Sequence, residues 1–479
     1  MQLRAGPLTA DVDGGDIRGI AVHGVEVVQR VYVTVRDDEW RTAATVVRGT
    51  AAESGRGSFS VDIEGESVLT GRPVAVWRLR AAVTAAGALE ADLEWRATDG
   101  FRCNRIGLCV HHPTARWAGA DWSTRLAGAD AAGRLDALVM PQPVIAGEHR
   151  PAVGPFATLR LEADGAWTTL SSLDVPFELE DQRNWGDASY KSYSSPIPPE
   201  PRVVTAGETG RARIQLAAGV GGRPPAAGTA SLRDAGTFPT VAAGAPVIVM
   251  VGEEPAGPAL AALRASAPDR VVLTTPAGPP AGRAALAALQ RAIAPIAAGG
   301  GTRGSFSELN RCRDDLRGAG SLTWSLDPQV HATDDRSIME NVAAVRDQLA
   351  TAAAIVPGAE RHLVLDLAHG RDDPRRGSSF EAAWLVGVVA HATGGAASIL
   401  VPQPQGDAAD VVARMRGWQG APALVVDDPR RRVAGVGVRR RGGVELLLAN
   451  LTPRRVACAA TGRRLVLAPY EVRAVTASA

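Results

Sequence analysis

Three side chains in this sequence could carry acyl-transfer chemistry near neutral pH: Glu308, His331 and Lys191. Glu308 follows an apolar strand and Gly-rich turn, Pro295–Gly301, a position from which a carboxylate can serve as base or acid. His331 closes the strand-end segment Asp327-Pro328-Gln329-Val330, where an imidazole can shuttle a proton. Lys191 is the one lysine among 52 Lys and Arg residues. A chain that otherwise supplies Arg for every cation marks such a position as needing a compact, flexible ammonium, for example against an oxyanion. Lys191 ends the densest polar run of the sequence, Glu180-Asp181-Gln182-Arg183-Asn184-Trp185-Gly186-Asp187-Ala188-Ser189-Tyr190-Lys191. In that run Asp181, Arg183, Asn184, Trp185 and Asp187 are candidate substrate contacts, joined by Asn310 and Gln329 from the other two segments. If the run is one strand, its odd-numbered positions share a face.

Each candidate has a plainer reading beside the chemical one. Glu308 could be a carboxylate in the first turn of the next helix. His331 could be an ordinary core or surface histidine, Trp185 a packing residue, and the run a charge-protected edge strand. Asp334 and Asp335 read as caps of a helix over Ser337–Ala354. Asp366 and His369, at and after the end of His362–Leu367, are weaker strand-end candidates.

Several function classes are excluded at this level. A net charge of +1 leaves no electrostatic footprint for nucleic acid or an anionic membrane. No cluster has metal-ligand spacing, and Gly299–Gly301 lacks the Lys-Ser/Thr of a phosphate loop, so neither metal nor cofactor is expected. No Gly-x-Ser-x-Gly elbow is present, against an α/β-hydrolase serine nucleophile. The start leads into polar Asp11–Asp16 with no apolar h-region, and no stretch of ~18 uncharged apolar residues occurs, so a cytoplasmic protein without a membrane span is expected. The four cysteines form no C-x-x-C pair and read as small buried hydrophobes of a reducing compartment. Oligomeric state is left open.

The elements that must position these residues fall into four stretches. Residues 1–218 are rich in short strands, such as Ile17–Val22, Val27–Val35, Val74–Ala82 and Leu89–Trp95, and predict an N-terminal β-sandwich. The Gly, Pro and Ala of 219–243 predict a linker. Residues 244–420 alternate apolar runs with helical patterns, which predicts parallel strands of a TIM-type (β/α) barrel. Six strands are countable, so the barrel reads as incomplete. Residues 421–479 predict a small C-terminal β domain.

The run from Glu178 to Tyr193 resembles the signature of the D-apionate lactonase (D-apionolactonase) family. Gly299-Gly300-Gly301-Thr302 leading to Phe306-Ser307-Glu308-Leu309-Asn310-Arg311 is similar to the same family, as is Asp327-Pro328-Gln329-Val330-His331-Ala332-Thr333-Asp334-Asp335. Asn104-Arg105-Ile106-Gly107 with His112-Pro113, and Leu447-Leu448-Ala449-Asn450-Leu451-Thr452-Pro453, also fit. The resemblance implies a β domain, a TIM-type barrel and a small β domain, acting on a sugar lactone or sugar acid. The implied reaction is hydrolysis of a sugar-acid lactone to the open acid. The family's barrel has about two more β/α units ahead of Val247–Val251 than this chain leaves room for. The family also carries a carboxylate late in the barrel, where this chain has Ser398-Ile399-Leu400-Val401-Pro402-Gln403. Two other readings stay open: a catalytically degenerate homologue that binds a carbohydrate-like ligand or a protein, and a glycoside hydrolase. The last needs two carboxyls ~5–10 Å apart.

Overall fold

The computed structural model describes residues 1–478 except 56, 143, 146–147, 199, 222–229, 244–247, 252–256, 267, 269, 275–279, 368–370, 460–461 and 463. It divides into two units: Met1–Gln182 with Ser189–Pro224, and Arg183–Ala188 with Pro225–Ala479.

The first unit is a sandwich of two nine-stranded antiparallel sheets that share one hydrophobic core. The sequence dictates this by alternation: in Leu89–Ala97, Leu89, Ala91, Leu93, Trp95 and Ala97 are buried while Glu90, Glu94 and Arg96 face solvent. Each large apolar side chain so buried contributes roughly 1.5–3 kcal/mol. The central strands of one sheet, Val25–Asp37 and Phe101–Pro113, are buried on both faces. Their second face is polar and carries Arg30, Arg36, Arg105 and His111.

His112, wholly buried on Phe101–Pro113, hydrogen-bonds Ser192 Oγ through Nε2 at 2.9 Å. Burial pushes its pKa down to about 3, against about 6.5 in an unfolded chain. The unfolded chain therefore binds this proton first as pH falls. Stability from the neutral ring is complete above about 6.5 and is lost between there and about 3, at roughly 1.4 kcal/mol per pH unit. Urea unfolding at pH 7.5 and pH 5 should show this loss, and His112→Gln should flatten it; an unchanged slope in the variant would refute the assignment.

The second unit holds a seven-stranded, all-parallel sheet. Its order is Thr240–Ala243, Ser398–Val401, Glu360–Leu365, Ser321–Leu326, Ala297–Gly301, Arg270–Leu273 and Ile248–Val251. Six of these match the six strands countable in the sequence. The seventh, Thr240–Ala243, lies inside the stretch expected to be linker, and it pairs in parallel with Ser398–Val401. The preceding strand, Ser231–Thr237, also lies in that stretch and pairs with Pro422–Asp427 of the C-terminal sheet. Thr209–Val220 runs past residue 218, so only part of 219–243 is free of strand, and 222–229 lies outside the described residues. The linker expectation is corrected here: strands of four to seven residues are too short to outweigh a Gly- and Ala-rich composition.

The C-terminal sheet is antiparallel: Ser231–Thr237, Pro422–Asp427, Val433–Arg440, Gly443–Asn450 and Val472–Ser478. The buried helix Ser379–Ala392 joins it to the barrel, with Phe380 stacked edge-on against Tyr470 at 4.9 Å. The Gly-rich strand Ala297–Gly301 is required by packing: a Cβ on Gly301 would sit 2.5 Å from Val272 and 2.7 Å from the Thr323 carbonyl.

Candidate functional site

The run 181–191 does not form one strand. Phe177–Asp181 and Ser189–Tyr193 pair antiparallel, with Glu180 opposite Lys191 and Asp181 opposite Tyr190. Between them lies a 3-10 turn, Gln182–Trp185. Asn, Gly and Asp favour a turn over an extended path, and Gly186 adopts φ +96, which L side chains rarely reach. The shared odd-numbered face is thereby corrected: Asp181 and Lys191 point to opposite sides of the sheet.

Arg183–Ala188 belongs to the second unit, and there it meets all three helical segments that follow two barrel strands. Arg183, fully buried, donates to Asp347 Oδ2 at 3.1 Å, and its carbonyl accepts from Gln348 Nε2 at 2.7 Å. Asn184 Oδ1 accepts from Asn310 Nδ2 at 2.9 Å, in the helix Phe306–Arg311 that carries Glu308. Trp185 lies edge-on to His331 with centroids 5.9 Å apart, and the Arg311 guanidinium is 5.7 Å from its ring. Trp185, Ser305, Phe306, Asp327, Pro328 and Asn341 border a cavity of about 20 Å³, room for a water and too small for a sugar ring.

The chemically pointed arrangement is at Asp187. Its Oδ2 bonds His331 Nδ1, and its Oδ1 accepts from Asn341 Nδ2 at 2.9 Å. Both Asp187 and His331 are buried. A carboxylate only accepts, so Nδ1 carries the proton and proton exchange with a substrate falls to Nε2. His331 lies five residues beyond the strand Ser321–Leu326, at the C-terminal end where barrels place their reactive groups.

Glu308 sits half-buried in the first turn of Phe306–Arg311, and Thr302 Oγ1 donates to its Oε2. The carboxylate lies against Gly304, where a Cβ would come within 2.7 Å of Oε1. Asp334 caps the helix Asp335–Asn341, accepting from Ser337 N at 2.9 Å. The single helix expected over Ser337–Ala354 is two, Asp335–Asn341 and Ala344–Ile355. His369 lies outside the described residues.

Two expected substrate contacts are committed elsewhere. Gln329 donates to the Leu367 carbonyl at 2.6 Å and to Asp373 Oδ2 at 2.8 Å, and accepts from Arg375 at 3.1 Å. Hydrogen bonds from Arg375 hold the Asp373 carboxyl well below the usual carboxylate range, so Gln329, Asp373 and Arg375 form a charged brace. Arg183 is an anchor for its turn. Arg183→Ala would remove one partner of the partly buried Asp347 and should cost about 3 kcal/mol in urea unfolding, the lower end for a broken buried pair. A loss under about 0.5 kcal/mol, the scale of an exposed pair, would contradict the anchor role.

Asp181 and Lys191 lie in the first unit. Asp181 Oδ2 accepts from Met140 N at 2.9 Å and so ties down the loop before it. Lys191 is only 1% exposed, in register with Glu180 and His111 on the polar face of the sheet. On that face Arg105 bridges Glu178 and Glu180 and stacks over Tyr193 at 4.1 Å. Burial raises the Glu178 carboxyl, against the pull of Arg105, and pushes the Cys109 thiol up to about 11, with Lys191 opposing.

Sequence reasoning missed Asn341, Thr302, Asp347 and Gln348. One signal could have found Asn341. The five asparagines, 104, 184, 310, 341 and 450, are all buried, so each is retained where a side-chain amide is needed inside the fold. Among the described residues, no group of three or more His, Cys, Asp or Glu is arranged to hold a metal ion, and no helix is long and apolar enough to cross a membrane.

Comparisons with known proteins give a consistent family. A curated D-apionate lactonase from Brucella anthropi is 31% identical over 224 residues, covering 45% of this chain and 34% of that protein. The match thus spans about a third of the relative's length. Solved structures resemble this one weakly. A galactose mutarotase related enzyme from Lactobacillus acidophilus is 9% identical with a TM-score of 0.29, over 46% of this chain and 97% of its own. A beta-arabinopyranosidase is 7% identical with a TM-score of 0.29, over 100% of this chain and 98% of its own. At that score neither carries an argument. The family models of the D-apionate lactonase N-terminal domain, TIM barrel domain and C-terminal immunoglobulin-like domain match residues 1–220, 255–365 and 430–475, in that order. The chain belongs to the D-apionate lactonase family.

Proposed function

We propose that this chain hydrolyses a sugar-acid lactone of the D-apionolactone type to the open acid. The observation that carries the reading is the Asp187–His331 pair just beyond a barrel strand, in a chain of a lactonase family. With Nδ1 committed to Asp187, His331 Nε2 takes a proton from water as its oxygen bonds to the lactone carbonyl carbon. The tetrahedral intermediate then collapses with cleavage of the ring C–O bond. The departing ring oxygen receives a proton, from the imidazolium or from Glu308, and the acid is released. The four free cysteines fit a reducing, cytoplasmic setting.

A second reading, a homologue that binds the sugar acid without turning it over, draws on the sheet having seven parallel strands among the described residues. A pH-stat assay on a panel of aldonolactones and p-nitrophenyl glycosides separates the readings. Acid release from lactones alone supports hydrolysis. Saturable binding of the open acid with no release supports the silent homologue, and glycoside cleavage would overturn both.

A further inference from the structure

We infer that Asn341 is a positioning residue that fixes the orientation of Asp187 and, through it, the direction of His331 Nε2; this deepens the lactonase reading and rests on it. Asn341 Oδ1 accepts from the Ala188 backbone N–H at 3.2 Å. That bond fixes which way the amide faces, because an N–H can only be met by the oxygen. Nδ2 is thereby turned to Asp187 Oδ1 at 2.9 Å and toward the Pro328 carbonyl at 3.4 Å. Both neighbours are acceptors, which agrees with the assignment. Asp187 then accepts on both oxygens, one from Asn341 and one from His331 Nδ1. The carboxylate is held in one plane, and with it the imidazole that donates to it through Nδ1. Trp185, edge-on to the ring, limits rotation about the same bond.

The chain places this residue with economy. Asn341 ends the helix Asp335–Asn341, and the next helix starts at Ala344, so the amide projects at a break in the helical path. The same side chain holds the turn Arg183–Ala188 by its Ala188 amide. Position of the carboxylate and position of the turn are therefore set by one group. Such outer partners of a catalytic histidine are what hold its geometry.

The test uses the full chain. Nitrogen-15 NMR of the histidine rings should show His331 with Nδ1 protonated when neutral. Asn341→Leu leaves the Asp187 carboxylate as acceptor, so Nδ1 should stay protonated, while kcat falls about 10- to 100-fold with KM changed less than about threefold, the scale of a lost orienting partner. Asn341→Asp sets a second carboxylate beside Asp187, and like charge raises proton affinity. The acid limb of its kcat/KM profile should move up by at least about one pH unit. A wild-type pH profile in Asn341→Asp would overturn the inference, also if the leucine variant fails to fold, and so would a wild-type kcat in Asn341→Leu. If the wild type hydrolyses no lactone, the hydrolytic reading fails, while the His331 titration followed by the same NMR in wild type and Asn341→Asp still decides the role of Asn341.

Discussion

Asp187→Asn should lower kcat about 100- to 10,000-fold while leaving the fold and KM nearly unchanged, the range seen when a histidine is left in the wrong tautomer. The argument is a count of donors and acceptors. Asn341 presents Nδ2 to position 187, because its oxygen is held by Ala188 N–H. An asparagine at 187 must therefore turn its own oxygen to Asn341 and its NH2 to His331 Nδ1. Nδ1 then has to accept, and the ring proton moves to Nε2. The base that would activate water is lost although the bonds to Asn341 and His331 are both kept. Circular dichroism and urea unfolding should match the wild type, and kcat measured across pH should be low throughout. A rate within threefold of wild type would remove the pair from the mechanism.

Glu308→Gln should lower kcat by about 100-fold, the usual contribution of a positioned acid or base. The substitution is isosteric, and the glutamine oxygen can still accept from Thr302 Oγ1, the partner of Glu308 Oε2. Stability should therefore hold. The competing account is that Glu308 serves only to lock the Thr302–Gly304 turn, where Thr302 Oγ1 also accepts from Gly304 N at 2.9 Å. Under that account the glutamine variant keeps the full rate and only Glu308→Ala loses stability. Rate and stability measured on both variants separate the two.

The architecture was legible because its signals are periodic. Alternation marked the sandwich strands, and apolar runs between helices marked six of the seven parallel strands. Thr240–Ala243 escaped because four residues carry no period and sit in Gly- and Ala-rich sequence. At the site, rarity was the useful signal. The single lysine and all five asparagines are buried, since a sequence drifting toward Arg, Ala and Gly keeps Lys and Asn where geometry demands them. Asn184 meets Asn310, and Asp187 meets His331. The pairing that matters, Asp187 with His331 and Asn341, spans more than 140 residues of sequence. No local pattern encodes it; a Gly-Asp turn and a helix break have to meet in space. Arg183 and Gln329 bond neighbours within the fold, and a charged or amide side chain looks alike in sequence whether it meets a ligand or a neighbour.

The most direct measurement is hydrolysis of D-apionolactone by the wild-type chain and by His331→Gln, followed by acid release at constant pH. The account predicts clear turnover by the wild type and a loss of at least about 100-fold in kcat for the variant. Equal rates in the two proteins, or a wild-type rate no faster than the uncatalysed reaction, would contradict it.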